Sequence, residues 1–160
     1  MQRTARTFLV LVLFALGTSL ITPLIPIYKS NLGFGDTVVT LFLVCYVIAL
    51  VPSMLTMGQL SDRVGRRPIL FIAILVLLVA QLVLITEPPL AGILLARALQ
   101  GAATGAFFGT CTAFLVERTP LARRPAVAVL SSVSVRGGLA LGPGLGGIFA
   151  EYLPYPLRLP

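Results

Sequence analysis

Long runs without a charged residue constrain this chain more than any other feature. Residues 7–28, 37–57 and 69–86 contain no charge at all. About 20 apolar residues, rising about 1.5 Å each along a helix, cross the hydrocarbon core of a bilayer. Only 11% of the 160 residues are charged, whereas a soluble domain carries about 25%. The sequence therefore predicts an integral membrane protein.

Two further segments are apolar but less uniform. One contains Arg97, and the other contains Arg136 together with a run of glycines. The connectors are too short to form a soluble domain. We therefore expect an all-α integral membrane protein with no soluble domain. The expected transmembrane helices cover residues 7–28, 37–57, 69–86, 90–116 and 125–153.

The amino-terminal residues also fit a second interpretation. Arg3 and Arg6 followed by an apolar run are typical of a signal peptide. However, the uncharged stretch continues through Pro23 and Pro26 to Tyr28, which is longer than the apolar region of about 7–15 residues in such a peptide. The first segment is therefore expected to be retained as a membrane helix.

Positive charge predicts the orientation of the helices. Near the ends of the expected helices, one side carries eight Lys and Arg residues and the other carries Lys29 alone, before the carboxyl-terminal tail with Arg158. The positive-inside rule then puts the amino terminus and the loops 59–68 and 117–124 in the cytoplasm. A net charge of +7 fits loops beside an anionic leaflet, so nucleic acid is not an expected partner. The eight residues are Arg3, Arg6, Arg63, Arg66, Arg67, Arg118, Arg123 and Arg124.

Residues that carry catalysis or bind metals are scarce. The chain has no His, and Cys45 and Cys111 both lie inside apolar runs. There is no Cys-x-x-Cys pattern, no paired carboxylates and no activated nucleophile. We expect no enzymatic activity, no metal site, no disulfide framework and no cofactor.

The connector between the second and third segments carries the most specific motif. It reads Gly-Gln-Leu-Ser-Asp-Arg-Val-Gly-Arg-Arg-Pro over residues 58–68. From the residues alone, it is a positively charged loop in which the negative charge of Asp62 offsets part of the positive charge of the arginines. The string also resembles motif A of the major facilitator superfamily, which joins the second and third helices there. The resemblance implies a conformational latch formed by Gly58, Asp62, Arg63, Gly65, Arg66 and Arg67.

Two more strings resemble motifs of the same family, in the expected order. Residues 97–101 are similar to motif B, Arg-x-x-Gln-Gly, which implies a role in proton coupling for Arg97, Gln100 and Gly101. Residues 138–147 match motif C, Gly-x-x-x-Gly-Pro-x-x-Gly-Gly, which marks drug:proton antiporters. The resemblance implies that this motif closes the outer half of the bundle against leakage. Its residues here are Gly138, Gly142, Pro143, Gly146 and Gly147.

Physical chemistry gives these motifs a second interpretation. Glycines that repeat every four residues, as at 101, 105 and 109, make a flat stripe on which a neighbouring helix packs closely. Proline inside a helix removes a hydrogen bond and loosens the helix, so a bend is expected at Pro143. Packing alone would explain the glycine stripes, whereas a bend in the middle of a helix can serve alternating access.

The two arginines inside expected helices need a partner, water or a function. An arginine at the centre of a membrane helix costs about 2.5–3.5 kcal/mol on insertion scales, and the five acids of the chain all lie at connectors or at the ends of the five segments. For Arg97 the alternative to proton coupling is a structural arginine bonded to carbonyls and Gln100. For Arg136 we expect contact with an anionic group of the substrate from the central cavity, and the alternative is a static internal salt bridge.

A complete carrier of this superfamily has two six-helix halves, and this chain resembles five helices of the amino-terminal half. The resemblance implies a secondary active efflux carrier for small molecules in the cell (inner) membrane, driven by protons through alternating access. A symporter or uniporter of the same superfamily is an open alternative. Because the sixth helix and the second half are missing, the chain is not expected to transport alone. It would need a separately encoded carboxyl-terminal half, or it is a truncated fragment or packing partner.

Overall fold

The computed structural model describes residues 2–19, 35–86 and 88–152. These residues form five helices and no strand, with a short 3-10 turn at Leu121–Arg123 before the last helix. The expected all-α architecture is confirmed. The expected ends of the first and fifth helices, at residues 28 and 153, lie outside the described residues. The helices are α1 (Gln2–Ser19), α2 (Asp36–Val64), α3 (Arg66–Ile85), α4 (Leu90–Glu117) and α5 (Arg124–Tyr152).

Four of these helices have the length and composition to cross a membrane. They are α2 to α5, and their apolar segments are 20 to 28 residues long. The described part of α1 holds a shorter apolar segment, Thr7–Ser19. Large apolar side chains are exposed along α2, α3 and α5, as expected for surfaces that face lipid.

The connector between α2 and α3 is much shorter than the sequence suggested. α2 continues past residue 57 as helix to Val64, and α3 begins at Arg66. The chain reverses at Gly65 alone, with φ +104°, a conformation that side-chain-bearing residues rarely adopt. Pro68 falls in the first turn of α3, where its missing N–H costs no helical bond. Most of the expected loop at 59–68 is therefore helical.

Glycine stripes set the closest helix contacts. A methyl group added at Gly101 or Gly105 of α4 would collide with the α2 backbone at Tyr46 or Leu50. On α5, a methyl group added at Gly138 would lie 2.6 Å from the Val12 carbonyl oxygen of α1. The expectation that these stripes pack closely is therefore met inside the chain, between α4 and α2 and between α5 and α1.

α4 forms the centre of the bundle. It carries most of the buried residues and packs against α2 and α3. Phe107 of α4 stacks on Phe14 of α1, with ring centroids 3.8 Å apart. Leu77 and Ala73 of α3 join the same core cluster. Because α4 is central, polar residues on it are positioned to contact every neighbouring helix.

Candidate functional site

Arg66 joins three helices at one end of the bundle. Its Nη2 lies 2.6 Å from Asp62 Oδ1 on α2 and 2.5 Å from Glu117 Oε1 at the end of α4. Its Nε donates to Glu117 Oε2 at 3.2 Å, and its Nη1 donates to the Ser61 hydroxyl at 2.6 Å. We call Ser61, Asp62, Arg66 and Glu117 the Arg66 cluster.

Solvent exposure limits how strongly the Arg66 cluster can hold. The side chains of Asp62 and Glu117 are 60% and 56% exposed, and exposed ion pairs contribute about 0.2–1 kcal/mol each. The two ion pairs share one guanidinium. Their combined free energy holds α2, α3 and α4 together weakly enough for a conformational change to separate them.

The other residues of the expected latch are placed differently. Arg63 and Arg67 are exposed and have no hydrogen bond or ion pair within the described residues. A side chain added at Gly58 would meet nothing within 4 Å, so the surface there is open. Gly65 supplies the turn. The structure therefore brings Asp62 and Arg66 together and leaves Arg63, Arg67 and Gly58 on an open surface.

A second polar group lies inside the bundle and begins at Arg97. This residue is 7% exposed, and its Nη1 donates to Gln100 Oε1 at 3.0 Å. Gln100 Nε2 donates to Gln81 Oε1 of α3 at 3.2 Å, and Gln81 Nε2 donates to the Gly17 carbonyl of α1 at 2.7 Å. The Arg97 guanidinium also lies 5.6 Å from the ring centre of Tyr46 on α2. We call this series the Arg97 chain.

The Arg97 chain connects four helices through one buried cation. Within the part of the bundle that the structure describes, the Nε of Arg97 is buried without a hydrogen-bond partner. No acidic side chain pairs with the guanidinium there. Among the described residues, one N–H of the buried cation is therefore left to donate a hydrogen bond to a carboxylate, a water or a ligand.

Motif C packs on the first helix. Gly138, Gly142 and Gly146 are buried, and a methyl group at Gly142 would lie 2.8 Å from the Leu16 carbonyl oxygen and collide with the Ser19 hydroxyl. Gly147 is half-buried, with nothing within 4 Å of an added methyl group. The helix α5 continues on both sides of Pro143. The motif thus divides into a packed stripe and an open side.

Arg136 lines an open cleft between α2, α4 and α5, with a volume of about 550 Å³. Met54, Phe108 and Val135 give it apolar walls, while Thr112 and Ser132 add hydroxyl groups. No acidic residue lines the cleft, and Arg136 is exposed without an ion pair to any described residue. We call this space the Arg136 cleft. The alternative expectation of an internal salt bridge finds no partner in the described residues.

Comparison with known proteins decides the family. Residues 7–157 match the model of the Major Facilitator Superfamily. The chain belongs to this superfamily. It is 27% identical over 136 residues to Multidrug resistance protein 1 of Bacillus subtilis (strain 168), an alignment that covers 85% of this chain and 35% of that protein. It is 24% identical over 139 residues to Quinolone resistance protein NorA of Staphylococcus aureus (strain Mu50 / ATCC 700699), covering 87% of this chain and 36% of that protein.

This superfamily member spans about a third of the length of the curated relatives that it matches. Superfamily members are transporters and not enzymes, so the resemblance drawn from the three motifs and the expectation of a non-enzyme are both confirmed. The match and the four long apolar helices identify a multi-pass membrane protein.

Three polar residues that matter to these sites were not singled out from the sequence. Glu117 completes the Arg66 cluster, while Gln81 and Tyr46 extend the Arg97 chain. A signal for Gln81 exists, since it is the one polar residue in the uncharged run 69–85, and an amide in a membrane helix usually bonds to a neighbouring helix. Glu117 and Tyr46 carry no comparable local signal.

Proposed function

We propose that this chain is the amino-terminal part of a secondary active efflux carrier for small amphipathic molecules. It lies in the cell (inner) membrane with its amino terminus in the cytoplasm. The observation that carries the proposal is the Arg136 cleft, in which a cation with no ion pair to any described residue lies among apolar side chains. The printed names of the two relatives, which concern multidrug and quinolone resistance, support export as the direction.

The composition of the Arg136 cleft favours a particular class of substrate. Ligand sites combine mainly apolar walls with a few polar groups that fix orientation. Phe108 and Met54 offer surfaces for an aromatic ring, and Arg136 offers a counter-charge for an anionic group. We therefore propose that the cleft takes an amphipathic molecule that carries a carboxylate, such as a quinolone.

The Arg66 cluster supports alternating access. A switch between two states must hold one state without locking it, and a difference of about 1.4 kcal/mol shifts such an equilibrium tenfold. Two exposed pairs that share Arg66 supply energy of this size. We propose that the cluster stabilises one state of the carrier and opens in the other, with Gly58, Arg63, Gly65 and Arg67 completing the latch against the second half.

We propose that the Arg97 chain takes part in proton coupling. A fixed cation lowers the pKa of a carboxyl group that approaches it, because it favours the charged form. The Nε of Arg97, which has no hydrogen-bond partner among the residues that the structure describes, is the point at which such a carboxyl would bind. Gln100 holds the guanidinium in place, and Gly101 lets α2 approach it closely enough for Tyr46 to contact the cation.

Transport also needs the second wall of the cavity. We propose that a carboxyl-terminal half, on the same or another polypeptide, closes the Arg136 cleft from the opposite side. In this arrangement, motif C holds the first and fifth helices together on the outer side through its buried glycines Gly138, Gly142 and Gly146. The role as a packing partner is less well supported, because the stripes at Gly101 and Gly138 are already occupied by α2 and α1.

The substrate proposal can be tested on the chain itself. The sequence contains no Trp, so Phe108→Trp introduces a single fluorescent reporter into the cleft. We expect a quinolone to quench this reporter in reconstituted vesicles, and Arg136→Gln in the same background to weaken the quenching about tenfold, as expected for loss of a charged contact.

Two controls make this result specific. Phe71→Trp places the reporter on an exposed position of α3, away from the cleft, and should report only partition into lipid. Arg123→Gln removes an exposed arginine outside the cleft. Equal quenching in the Phe108→Trp and Phe71→Trp variants, or no effect of Arg136→Gln, would refute the substrate site.

A further inference from the structure

α2 and α3 leave a groove between them, away from the Arg136 cleft. Both helices pack on α4, but they contact each other only slightly along their length. The space between them is about 260 Å³. The floor of this space is formed by three small side chains of α4, which are Ala102, Ala103 and Ala106. We call this space the α2–α3 groove.

The α2–α3 groove offers no free polar group. Its walls are aliphatic, with Met57 and Leu60 from α2 and Ile72 from α3 among them. The one hydroxyl in the lining belongs to Ser53, and it already donates to the Ala102 carbonyl at 2.6 Å. The groove therefore suits a hydrocarbon chain and not a polar solute.

The mouth of the groove is different in character. A smaller depression of about 190 Å³ lies next to it. Leu60 lines both spaces, and Gln59 and Arg63 line the smaller one. Arg63 is exposed and has no polar partner in the described part of the chain, because the neighbouring Asp62 is bound by Arg66. A cation without a polar partner among the described residues thus lines a depression that shares Leu60 with the apolar groove.

We propose that the α2–α3 groove binds an anionic phospholipid. One acyl chain occupies the groove, and the lipid phosphate pairs with Arg63 and accepts a hydrogen bond from the Gln59 amide. Charge complementarity selects this occupant, because an anion is needed at Arg63 and a hydrocarbon chain is needed beside Leu60. Basic clusters at the membrane surface bind anionic headgroups on the same physical grounds.

This site shares Arg63 with the proposed latch, but the observations behind it are independent of transport. It requires only that the helices lie in a bilayer, and it uses neither the Arg136 cleft nor a second half. A lipid held between α2 and α3 would stabilise their present separation. The lipid headgroup would also lie beside the Arg66 cluster, since Asp62 and Arg63 are adjacent in α2.

The direct test is photo-crosslinking of the full 160-residue chain in phosphatidylcholine vesicles. The probe is phosphatidylglycerol with a photoreactive group on one acyl chain, present in trace amounts. We expect the label to concentrate on residues 57–60 and 69–76, as mapped by mass spectrometry of the digested chain. Even labelling over the exposed faces of α2, α3 and α5 would overturn the proposal, because it would mean ordinary contact with bulk lipid.

Variants then test the two halves of the lipid separately. Arg63→Gln should reduce labelling by phosphatidylglycerol about fivefold, equivalent to about 1 kcal/mol, and should leave labelling by the corresponding phosphatidylcholine probe unchanged. Ala73→Leu fills the groove and should reduce labelling by both probes. Arg123→Gln and Ala126→Leu are the matched controls, since both positions are exposed and lie outside the groove.

Three outcomes would contradict the proposal. Equal losses in Arg63→Gln and Arg123→Gln would indicate diffuse charge attraction. Full labelling in Ala73→Leu would exclude the groove as the binding place of the acyl chain. Competition by soluble glycerol phosphate would indicate a headgroup site without a chain. If Ala73→Leu loses helical circular dichroism, the labelling map of the unmodified chain decides the question by itself.

Discussion

Adjacent glycines on α5 allow a sharp test of the packing between α5 and α1. Gly138 is buried, and a methyl group there would lie 2.6 Å from the Val12 carbonyl oxygen and 2.6 Å from the Ala15 side chain. Gly137 is exposed, and a methyl group there would meet nothing within 4 Å. Alanine at the two positions therefore differs only in what the added carbon meets.

The size of the effect follows from these distances. A carbon and a carbonyl oxygen approach to about 3.3 Å, so Gly138→Ala must move α1 away by about 0.7 Å. Such overpacking costs about 1–3 kcal/mol, offset by about 1 kcal/mol because alanine is the better helix former. Gly137→Ala has no overpacking cost and only gains about 1 kcal/mol from the better helix former. The two variants should differ by about 1–3 kcal/mol in the free energy of unfolding.

The assay is unfolding of the purified chain in mixed micelles with increasing sodium dodecyl sulfate, followed by circular dichroism. We expect Gly137→Ala to unfold at a higher detergent fraction than the unmodified chain, and Gly138→Ala at a lower one than Gly137→Ala. If Gly138→Ala stabilises the chain as much as Gly137→Ala does, α5 does not pack on α1 through this stripe, and the proposed role of motif C fails with it.

Three more predictions concern the polar groups. Arg66→Gln, Glu117→Gln and the double variant should give a coupling energy of about 1 kcal/mol in the same unfolding assay, because the pair is bidentate but exposed. Gln81→Leu should lower the free energy of unfolding by about 1–2 kcal/mol, because it leaves the amide of Gln100 without its partner. Cys111 should resist a membrane-permeant maleimide in the folded chain and react once the chain is unfolded, since it is 1% exposed.

Each of these predictions has an outcome that contradicts it. Additive effects in the cycle would mean that Arg66 and Glu117 do not interact in the membrane. A Gln81→Leu chain as stable as the original would show that the Arg97 chain ends at Gln100; Gln81→Glu, which retains an acceptor for Gln100, serves as its control. Rapid labelling of Cys111 before unfolding would mean that the core between α1, α3 and α4 is open.

Local patterns predicted the fold, but the ion pair between Asp62 and Arg66 was not predicted. The uncharged runs identified the membrane helices, and the three motifs identified the superfamily. Asp62 and Arg66 lie four residues apart, which is the spacing that places two side chains on one helix face. The structure pairs these two side chains across the turn at Gly65, in a segment that was expected to be a loop.

Partners that are distant in the sequence could not be predicted. Glu117 lies 51 residues from Arg66, and Gly17 lies 64 residues from Gln81, so only the packing of helices brings them together. The same limit applies to the arginines, since a single sequence does not give the rotation of a helix. Arg97 and Arg136 carry the same insertion cost, yet Arg97 is buried at the centre of the bundle and Arg136 opens into a cleft.

The single-residue turn at Gly65 gives α2 and α3 the geometry of two rigid helices joined at a hinge. The two helices are fastened near the turn by Arg66 and are only slightly in contact beyond it. α3 has 20 residues, so it is about 30 Å long. A tilt of about 5° at Gly65 would therefore displace its far end by about 2.6 Å. A small electrostatic change at one membrane surface would thus become a change of shape at the other.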